Sequence, residues 1–275
     1  MGRRVSSREA ALRAIEKNSF SLPGGALNGI RADFHLHSLF SDGKNSPEEV
    51  VLAAIGKGMT AIGFSDHSWT PFDESYCMKR ERISDYMLEI ARLKRKYRGR
   101  IKIFCGIEQD YFAGLPAGGF DYVIGSVHYV KVRGEYLPVD HDVRILREGL
   151  DRLFGGDSDS FAEAYFELVA GVAEKTGADM IGHFDLASKF SEKGGPVDTG
   201  TPRYGAAWRA AADSLIPSGK LFEINTGAVS RGYRTSPYPS AEQREYIAAR
   251  GGRFIMSSDS HRAENLLFGF NTLGL

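Results

Sequence analysis

Cysteine is scarce in this chain of 275 residues: Cys77 and Cys105 are the only two, too few for a disulfide framework. Cys105 lies in an apolar, strand-like run, which predicts a buried free thiol. No apolar run approaches the roughly 18 residues that a membrane span requires, and the chain does not begin with the apolar segment of a signal peptide. We therefore expect a cytoplasmic protein without a membrane partner.

Net charge is also absent. Lys and Arg together number 35, as do Asp and Glu, so the formal net charge at pH 7 is zero. This balance does not indicate a nucleic-acid groove, and we expect no nucleic-acid partner. The basic run at 92–100 is typical of a solvated helix end rather than of a binding patch. The chain also has no Gly-x-Gly-x-x-Gly motif, so a dinucleotide site has no support.

What the chain does contain is a regular alternation of strand-like and helical segments. The apolar, strand-like runs are seven: 32–36, 60–64, 102–107, 122–126, 180–182, 221–225 and 253–256. Such alternation builds parallel sheets with right-handed crossovers, which places the chain in the α/β class. Seven units predict a closed (β/α) barrel with one unit fewer than the usual eight, and an open doubly wound sheet is the alternative.

Helix signals lie between most of these runs. Ser46-Pro47-Glu48-Glu49 is a capping box that opens a helix to about residue 57, and further helices are predicted at 80–97, 160–176, 204–216 and 240–250. Four helix ends are followed by glycines that can adopt the left-handed conformation: Gly58, Gly177, Gly219 and Gly251.

Two segments lie outside this alternation. Residues 1–29 are interpreted as a peripheral extension, with a helix at 7–17 and loops at 23–25 and 28–29, so the main domain spans 30–275. Residues 129–159 form an insertion, predicted as a hairpin followed by a helix, that would serve as a lid or substrate wall.

Six of the chain's seven histidines occur at or just past the end of a predicted strand. Barrel enzymes keep their active sites at the carboxyl ends of the strands, so these histidines should meet there. Acidic residues share those positions. The strand-end residues with metal-ligand chemistry are His35, His37, Asp42, His67, Glu108, His128, His183, Asp259 and His261.

A set of nitrogen and carboxylate ligands without a thiolate suits zinc, iron or manganese in a hydrolytic site. Nine ligands are too many for one ion that must also hold water, which predicts two to three divalent ions that share bridging carboxylates. Such clusters generate hydroxide near neutral pH and clamp a phosphoryl group.

The motifs that carry these residues resemble those of the PHP (polymerase and histidinol phosphatase) family, most closely its stand-alone histidinol-phosphate phosphatases. In chain order they are His35-Leu36-His37 with Ser41-Asp42-Gly43, Ser65-Asp66-His67, Gly106-Ile107-Glu108, Ile124-Gly125-Ser126-Val127-His128, Gly182-His183-Phe184-Asp185, Glu223-Ile224-Asn225-Thr226 and Ser258-Asp259-Ser260-His261. The resemblance covers residues 32–261 and implies a distorted (β/α)7 barrel, a variant of the TIM barrel, with a trinuclear metal centre.

The resemblance also implies how the ligands divide. The first ion would take His35, His37, Glu108 and Asp259; the second would take Glu108, His128 and His183; the third would take Asp42, His67 and His261. Glu108, Asp259 and His261 are the residues expected to act in catalysis as well as in metal binding.

The function predicted in this way is hydrolysis of a phosphate monoester by a metal-bridging hydroxide, most closely L-histidinol phosphate in histidine biosynthesis. Arg231, Arg234 and Lys189 are candidates for the phosphate, because guanidinium matches a phosphate edge. Asp140 and Asp142 in the insertion are candidates for the substrate's ammonium. The substrate would be small, and the protein a monomer or small homo-oligomer.

Three alternatives stay open at this point. The substrate could be another small phosphate ester or a nucleotide. A metal-dependent amidohydrolase would use similar ligands, with a carboxylated lysine or a carboxylate as bridge on an eight-stranded barrel. A degenerate metal-binding scaffold would be expected to have lost ligands, and this sequence has lost none of the nine.

Overall fold

The computed structural model describes residues 6–22, 31–115 and 117–271. Its main feature is one curled eight-stranded sheet in the order β1-β10-β9-β8-β5-β4-β3-β2, with a separate two-stranded hairpin, β6-β7. All neighbours in the sheet are parallel except β1, which pairs antiparallel with β10. The strands are β1 (Ser19–Phe20), β2 (Ala32–Asp33), β3 (Ala61–Phe64), β4 (Lys102–Asp110), β5 (Tyr122–Ser126), β6 (Tyr129–Val132), β7 (Glu135–Pro138), β8 (Met180–Ile181), β9 (Leu221–Asn225) and β10 (Arg253–Ser257).

The helices mostly follow the sequence prediction closely. They are α1 (Ser7–Lys17), α2 (Pro47–Gly56), α3 (Ile83–Lys96), α4 (Val143–Phe154), α5 (Ser158–Thr176), α6 (Pro202–Leu215), α7 (Gly227–Ser230) and α8 (Ala241–Ala249). The capping box at Ser46 forms, since its hydroxyl accepts from the Glu49 backbone N–H while the Glu49 side chain accepts from the Ser46 N–H. Short α7 was not predicted.

The two edges of the parallel sheet meet at their carboxyl ends. The His37 N–H donates to the Ser260 carbonyl at 2.9 Å, and the Ser260 N–H donates to the His35 carbonyl at 3.2 Å. These bonds join the segment after β2 to the segment after β10. The prediction of a distorted seven-unit parallel barrel is confirmed, and its closure lies at the end where the histidines are.

At the opposite end, α1 covers the barrel interior. Ala11 and Ile15 are buried there against side chains that point into the barrel, among them Phe34 and Tyr122. The 7–17 helix of the extension thus packs on the barrel core. The domain boundary at residue 30 stays a prediction, and the loops predicted at 23–25 and 28–29 lie outside the described residues.

The insertion at 129–159 forms the predicted hairpin and helix, and the hairpin lies against the loop after β3. Phe72 stacks on Tyr136 with ring centroids 3.6 Å apart, and the Tyr129 hydroxyl donates to the Asp73 carboxylate at 2.7 Å. Two chain segments therefore build one wall beside the carboxyl end of the barrel. Its use as a lid stays a prediction.

Cys105 is a buried free thiol, as the sequence predicted, and Cys77 is also free and buried. Across the described ranges, no helix combines the length and the apolar character needed to cross a bilayer.

Candidate metal centre

Glu108, at the end of the long strand β4, lies at the centre of the predicted ligands. Its side chain is fully buried, and five imidazoles surround it. Oε2 lies 2.9 Å from His67 Nδ1, 3.1 Å from His35 Nε2 and 3.5 Å from His37 Nε2. Oε1 lies 2.8 Å from His183 Nε2 and 3.2 Å from His128 Nε2. Imidazoles from the ends of four strands thus converge on a carboxylate at the end of a fifth.

The remaining three predicted ligands complete the rim. His261 Nε2 lies 3.2 Å from Asp42 Oδ2, and His67 Nε2 lies 3.7 Å from Asp42 Oδ1. Asp259 Oδ1 lies 3.3 Å from His37 Nε2 and so faces the central cluster. The structure therefore brings all nine candidate ligands to one place.

The donor atoms form three overlapping groups, in each of which all atoms lie within 4.8 Å of one another. The groups are His35, His37 and Asp259; His67, Glu108 and His128; and His37, Asp42, His67 and His261. Such spacing matches ligands that share one ion at about 2.0–2.2 Å. The grouping differs from the predicted division in three respects. His37 and His67 each reach two groups, and Glu108 falls in one group instead of two. His183 falls in none, although its Nε2 lies 2.8 Å from Glu108 Oε1.

The hydrogen bonding of the donor atoms indicates whether the cluster suits metal ions. Several are buried and find no hydrogen-bond partner among the described residues: His35 Nε2, both ring nitrogens of His37, Asp42 Oδ1, Glu108 Oε2 and His183 Nδ1. A buried polar atom without a partner costs about 1–3 kcal/mol. A site with this many unpartnered polar atoms suits binding partners that the polypeptide does not supply. Nitrogen and oxygen atoms with free lone pairs suit metal cations.

The electrostatics agree with that conclusion. Burial opposes ionisation of Glu108, yet the neighbouring histidines, His67 foremost, hold the pKa of its carboxyl well below the usual range. Burial and the adjacent His261 ring lower the pKa of His37 to about 3. Glu108 is thus an ionised carboxylate and His37 a neutral imidazole, the forms that bind metal ions. For His35 and His67, burial opposes protonation, but the neighbouring carboxylates raise the pKa of both rings.

The cluster opens into a cavity of about 230 Å³. Beside the cluster residues, its lining consists of Tyr76, Tyr129, Pro138, Asp140, His141, Leu186, Lys189, Arg231 and Tyr233. Three of the five predicted substrate-binding residues, Asp140, Lys189 and Arg231, thus line one cavity. A space of this size accommodates a small phosphate ester rather than a polymer strand.

Arg231 lies closest to the cluster. Its guanidinium donates to the Asp259 carboxylate and to the Asp259 carbonyl, each at 3.1 Å, and Nη1 lies 3.0 Å from His261 Nδ1. The Lys189 ammonium, in the segment after β8, donates to the carboxylate of Asp140 in the insertion at 3.0 Å. Burial opposes ionisation of Asp140, but Lys189, His128 and His183 together outweigh it and lower the pKa of that carboxyl.

Arg234 and Asp142 are not brought to the cavity. The Arg234 guanidinium turns away and donates to the Ser188 carbonyl at 3.0 Å, in a separate polar space next to Glu192. Asp142 instead caps the N-terminus of α4, where it accepts from the Arg144 N–H at 2.7 Å. Neither position supports contact with a substrate.

Comparison with known proteins decides the family. The model of the PHP domain matches residues 33–227 of this chain. The chain belongs to the PHP domain family. The matched residues include seven of the nine candidate ligands, whereas Asp259 and His261 lie beyond them.

The PHP chain is 31% identical to a protein of Deinococcus radiodurans named probable histidinol-phosphatase, over 86% of this chain and 89% of that one. Two crystal structures share its fold. One, from Listeria monocytogenes, has a TM-score of 0.76 and 20% identity over 88% of this chain and 99% of that one. The other, a histidinol phosphate phosphatase from Lactococcus lactis in complex with zinc, L-histidinol and phosphate, has a TM-score of 0.59 and 19% identity over 85% and 87%.

Two carboxylates, Asp110 and Asp66, hold candidate ligands of this PHP site in place and were not assigned from the sequence. Asp110 accepts from the His128 backbone N–H and lies 3.1 Å from the ring nitrogen Nδ1. Asp66 accepts from the Ser41 hydroxyl and so fixes the loop that carries Asp42. The sequence contains a signal for Asp110, because this residue lies two positions past Glu108 and therefore on the same face of β4.

Proposed function

We propose that this protein is a metal-dependent phosphomonoesterase that hydrolyses L-histidinol phosphate to L-histidinol and phosphate. The observation that carries the proposal is the cavity in which the nine-ligand cluster, Arg231 and the Lys189–Asp140 pair meet. The name of the Deinococcus relative, and the ligands of the Lactococcus structure, support the choice of substrate.

Each of the three groups of donor atoms would hold one divalent ion, with zinc, iron or manganese as candidates. Ions held there would supply Lewis acidity toward the ester and make water a stronger nucleophile at neutral pH.

The chain's own residues would divide the rest of the work. Arg231, held beside Asp259, presents a guanidinium to phosphate oxygens and offsets their charge. Asp140 offers an anionic partner to the ammonium of the leaving group. Tyr76 and Tyr129 line the cavity and would limit the access of water to a bound ester.

The amidohydrolase alternative with a carboxylated lysine fits less well. Lys189, which lines the cavity, is engaged by Asp140 instead of approaching the cluster. The barrel also has seven parallel strands rather than eight.

The test is phosphate release by zinc-reconstituted protein from L-histidinol phosphate, p-nitrophenyl phosphate and a nucleoside monophosphate. We expect L-histidinol phosphate to have the highest kcat/KM, by about tenfold or more, because its ammonium gains a charged partner. A His35→Gln variant is the control and should release none. If the zinc-loaded wild type releases no phosphate from any ester, the phosphatase proposal is wrong; a preference for the nucleotide would refute the substrate alone.

A further inference from the structure

Glu223, on β9, is a fully buried carboxylate that belongs to none of the three donor groups, yet it contacts two of the nine candidate ligands. Its Oε1 lies 2.6 Å from His35 Nδ1 and also accepts a short hydrogen bond from the Ser257 hydroxyl. Its Oε2 accepts from the His183 backbone N–H at 2.9 Å and from the Asn225 amide at 2.8 Å. One side chain therefore touches ligands from two different strands.

These contacts define where the His35 ring carries its proton. An ionised carboxylate only accepts hydrogen bonds, so the nitrogen that faces it, Nδ1, must be the N–H. Nε2 faces Glu108 Oε2 at 3.1 Å and Asp259 Oδ1 at 3.7 Å, and these carboxylates attract a proton or a cation to it. A ring with its N–H on Nδ1 offers Nε2 to a metal ion.

We propose that Glu223 is a positioning residue that fixes the metal-binding tautomer of His35 and anchors the backbone at His183. This inference rests on the metal-binding part of the proposed function and not on the substrate. The plainer reading is that Glu223 is a buried hydrogen-bonding hub that any side chain of the same shape could replace.

A Glu223→Gln variant separates the two readings, because the surroundings dictate how the amide must lie. Two N–H groups face Oε2, so the glutamine oxygen has to remain there. The Asn225 amide cannot turn to compensate, since its oxygen accepts from the Gly227 N–H at 2.9 Å. The new NH2 group must then face His35 Nδ1, which becomes the acceptor and leaves the proton on Nε2.

The experiment measures zinc binding without substrate, by metal analysis of reconstituted protein and by chelator competition. We expect Glu223→Gln to fold like the wild type by near-UV circular dichroism and to bind zinc at the His35 site about 10–100-fold more weakly. The matched control is Ser257→Ala, which removes a hydrogen bond to the same Oε1 atom but leaves a carboxylate facing His35. This control should bind zinc like the wild type.

Zinc binding by Glu223→Gln at wild-type strength would overturn the inference, as would equal weakening in both variants. Long-range proton–nitrogen NMR on histidine-labelled, zinc-loaded wild type decides the matter even if the glutamine variant does not fold. The expected spectrum shows His35 protonated at Nδ1 and ligated through Nε2, and the opposite assignment refutes the proposal. A wild type that binds no zinc would refute this inference and the metal centre together, whereas failure of the substrate assignment alone would leave the zinc result unaffected.

Discussion

At the scale of single residues, Asp259 depends on the absence of a side chain at Gly227. Asp259 has a left-handed backbone with a φ of 47°, an uncommon conformation that recurs at functional sites. A Cβ on Gly227 would lie 2.6 Å from Asp259 Oδ2 and 2.8 Å from its Cβ. Gly227 therefore leaves the space that the carboxylate occupies.

We predict that Gly227→Ala displaces Asp259 and lowers both zinc content and kcat/KM, the latter by about 100-fold, as a displaced catalytic group commonly does. Metal analysis and steady-state kinetics measure the two effects. The control is Gly56→Ala at the end of α2, where an added Cβ meets no atom within 4 Å. Equal, near-wild-type activity in both variants would show that the space beside Gly227 is not needed.

A second residue-scale prediction concerns the ammonium of the substrate. Asp140→Asn should raise KM for L-histidinol phosphate about tenfold, because a hydrogen bond between charged groups is lost. It should leave KM for p-nitrophenyl phosphate, which has no ammonium, unchanged or lower, since Lys189 is released from its partner. The difference between the two substrates is the measurement.

The matched control for Asp140 is two residues away. Asp142→Asn changes the same atoms at the cap of α4, where asparagine serves as well as aspartate. Its kinetics should match the wild type for both substrates. A parallel rise of KM for both substrates in Asp140→Asn would argue for general damage to the cavity instead.

Arg231 and Arg234 show how far residue-level prediction can reach. Both follow β9 in one loop, and their spacing alone gave no reason to separate them. In the structure Arg231 reaches Asp259, whereas Arg234 is drawn to Ser188 on the loop after β8. The direction of the Arg234 side chain therefore depends on a partner 46 residues earlier in the chain. The loop's position was predictable, but the direction of each side chain was not.

At the scale of elements, the helix ends were predictable because their signals are local. Gly58, Gly177, Gly219 and Gly251 all have positive φ, between 67° and 84°, as the sequence predicted. The first barrel strand was predicted at 32–36 but ends at Asp33 in the structure. Beyond it the backbone bonds to Ser260 instead, and no local pattern reveals a partner that distant.

The helix α1 of the N-terminal extension provides a prediction about stability. Ile15 on α1 is 3% exposed and packs against the barrel interior, so Ile15→Ala should lower the free energy of unfolding by about 2–4 kcal/mol. Arg13→Ala, on the exposed face of the same helix, should change it by no more than about 0.5 kcal/mol. Denaturant titration measures both. Equally small effects would mean that the helix is as peripheral as its polar sequence suggests.

At the scale of the whole molecule, the barrel closes where the buried cluster lies, so stability and metal binding should be coupled. The segment after β2 carries His35 and His37 and bonds to the segment after β10 that carries Asp259 and His261. Ions between these side chains would join the two edges of the sheet. Their sequence positions predicted convergence at one rim, whereas the hydrogen bonds that close the rim appear only in the folded chain.

We therefore predict that chelation destabilises the protein as a whole and not only its activity. A ligand held at 100 times its Kd stabilises the folded state by about 2.7 kcal/mol per site, so removal should lower Tm by about 5 °C or more. Calorimetry of the zinc-loaded, chelated and zinc-restored protein measures the change. An Asp259→Asn variant should show a smaller shift, because one of the groups that spans the closure loses a charged ligand. An unchanged Tm after full zinc removal would mean that the hydrogen bonds at Ser260 hold the barrel closed without help from the cluster.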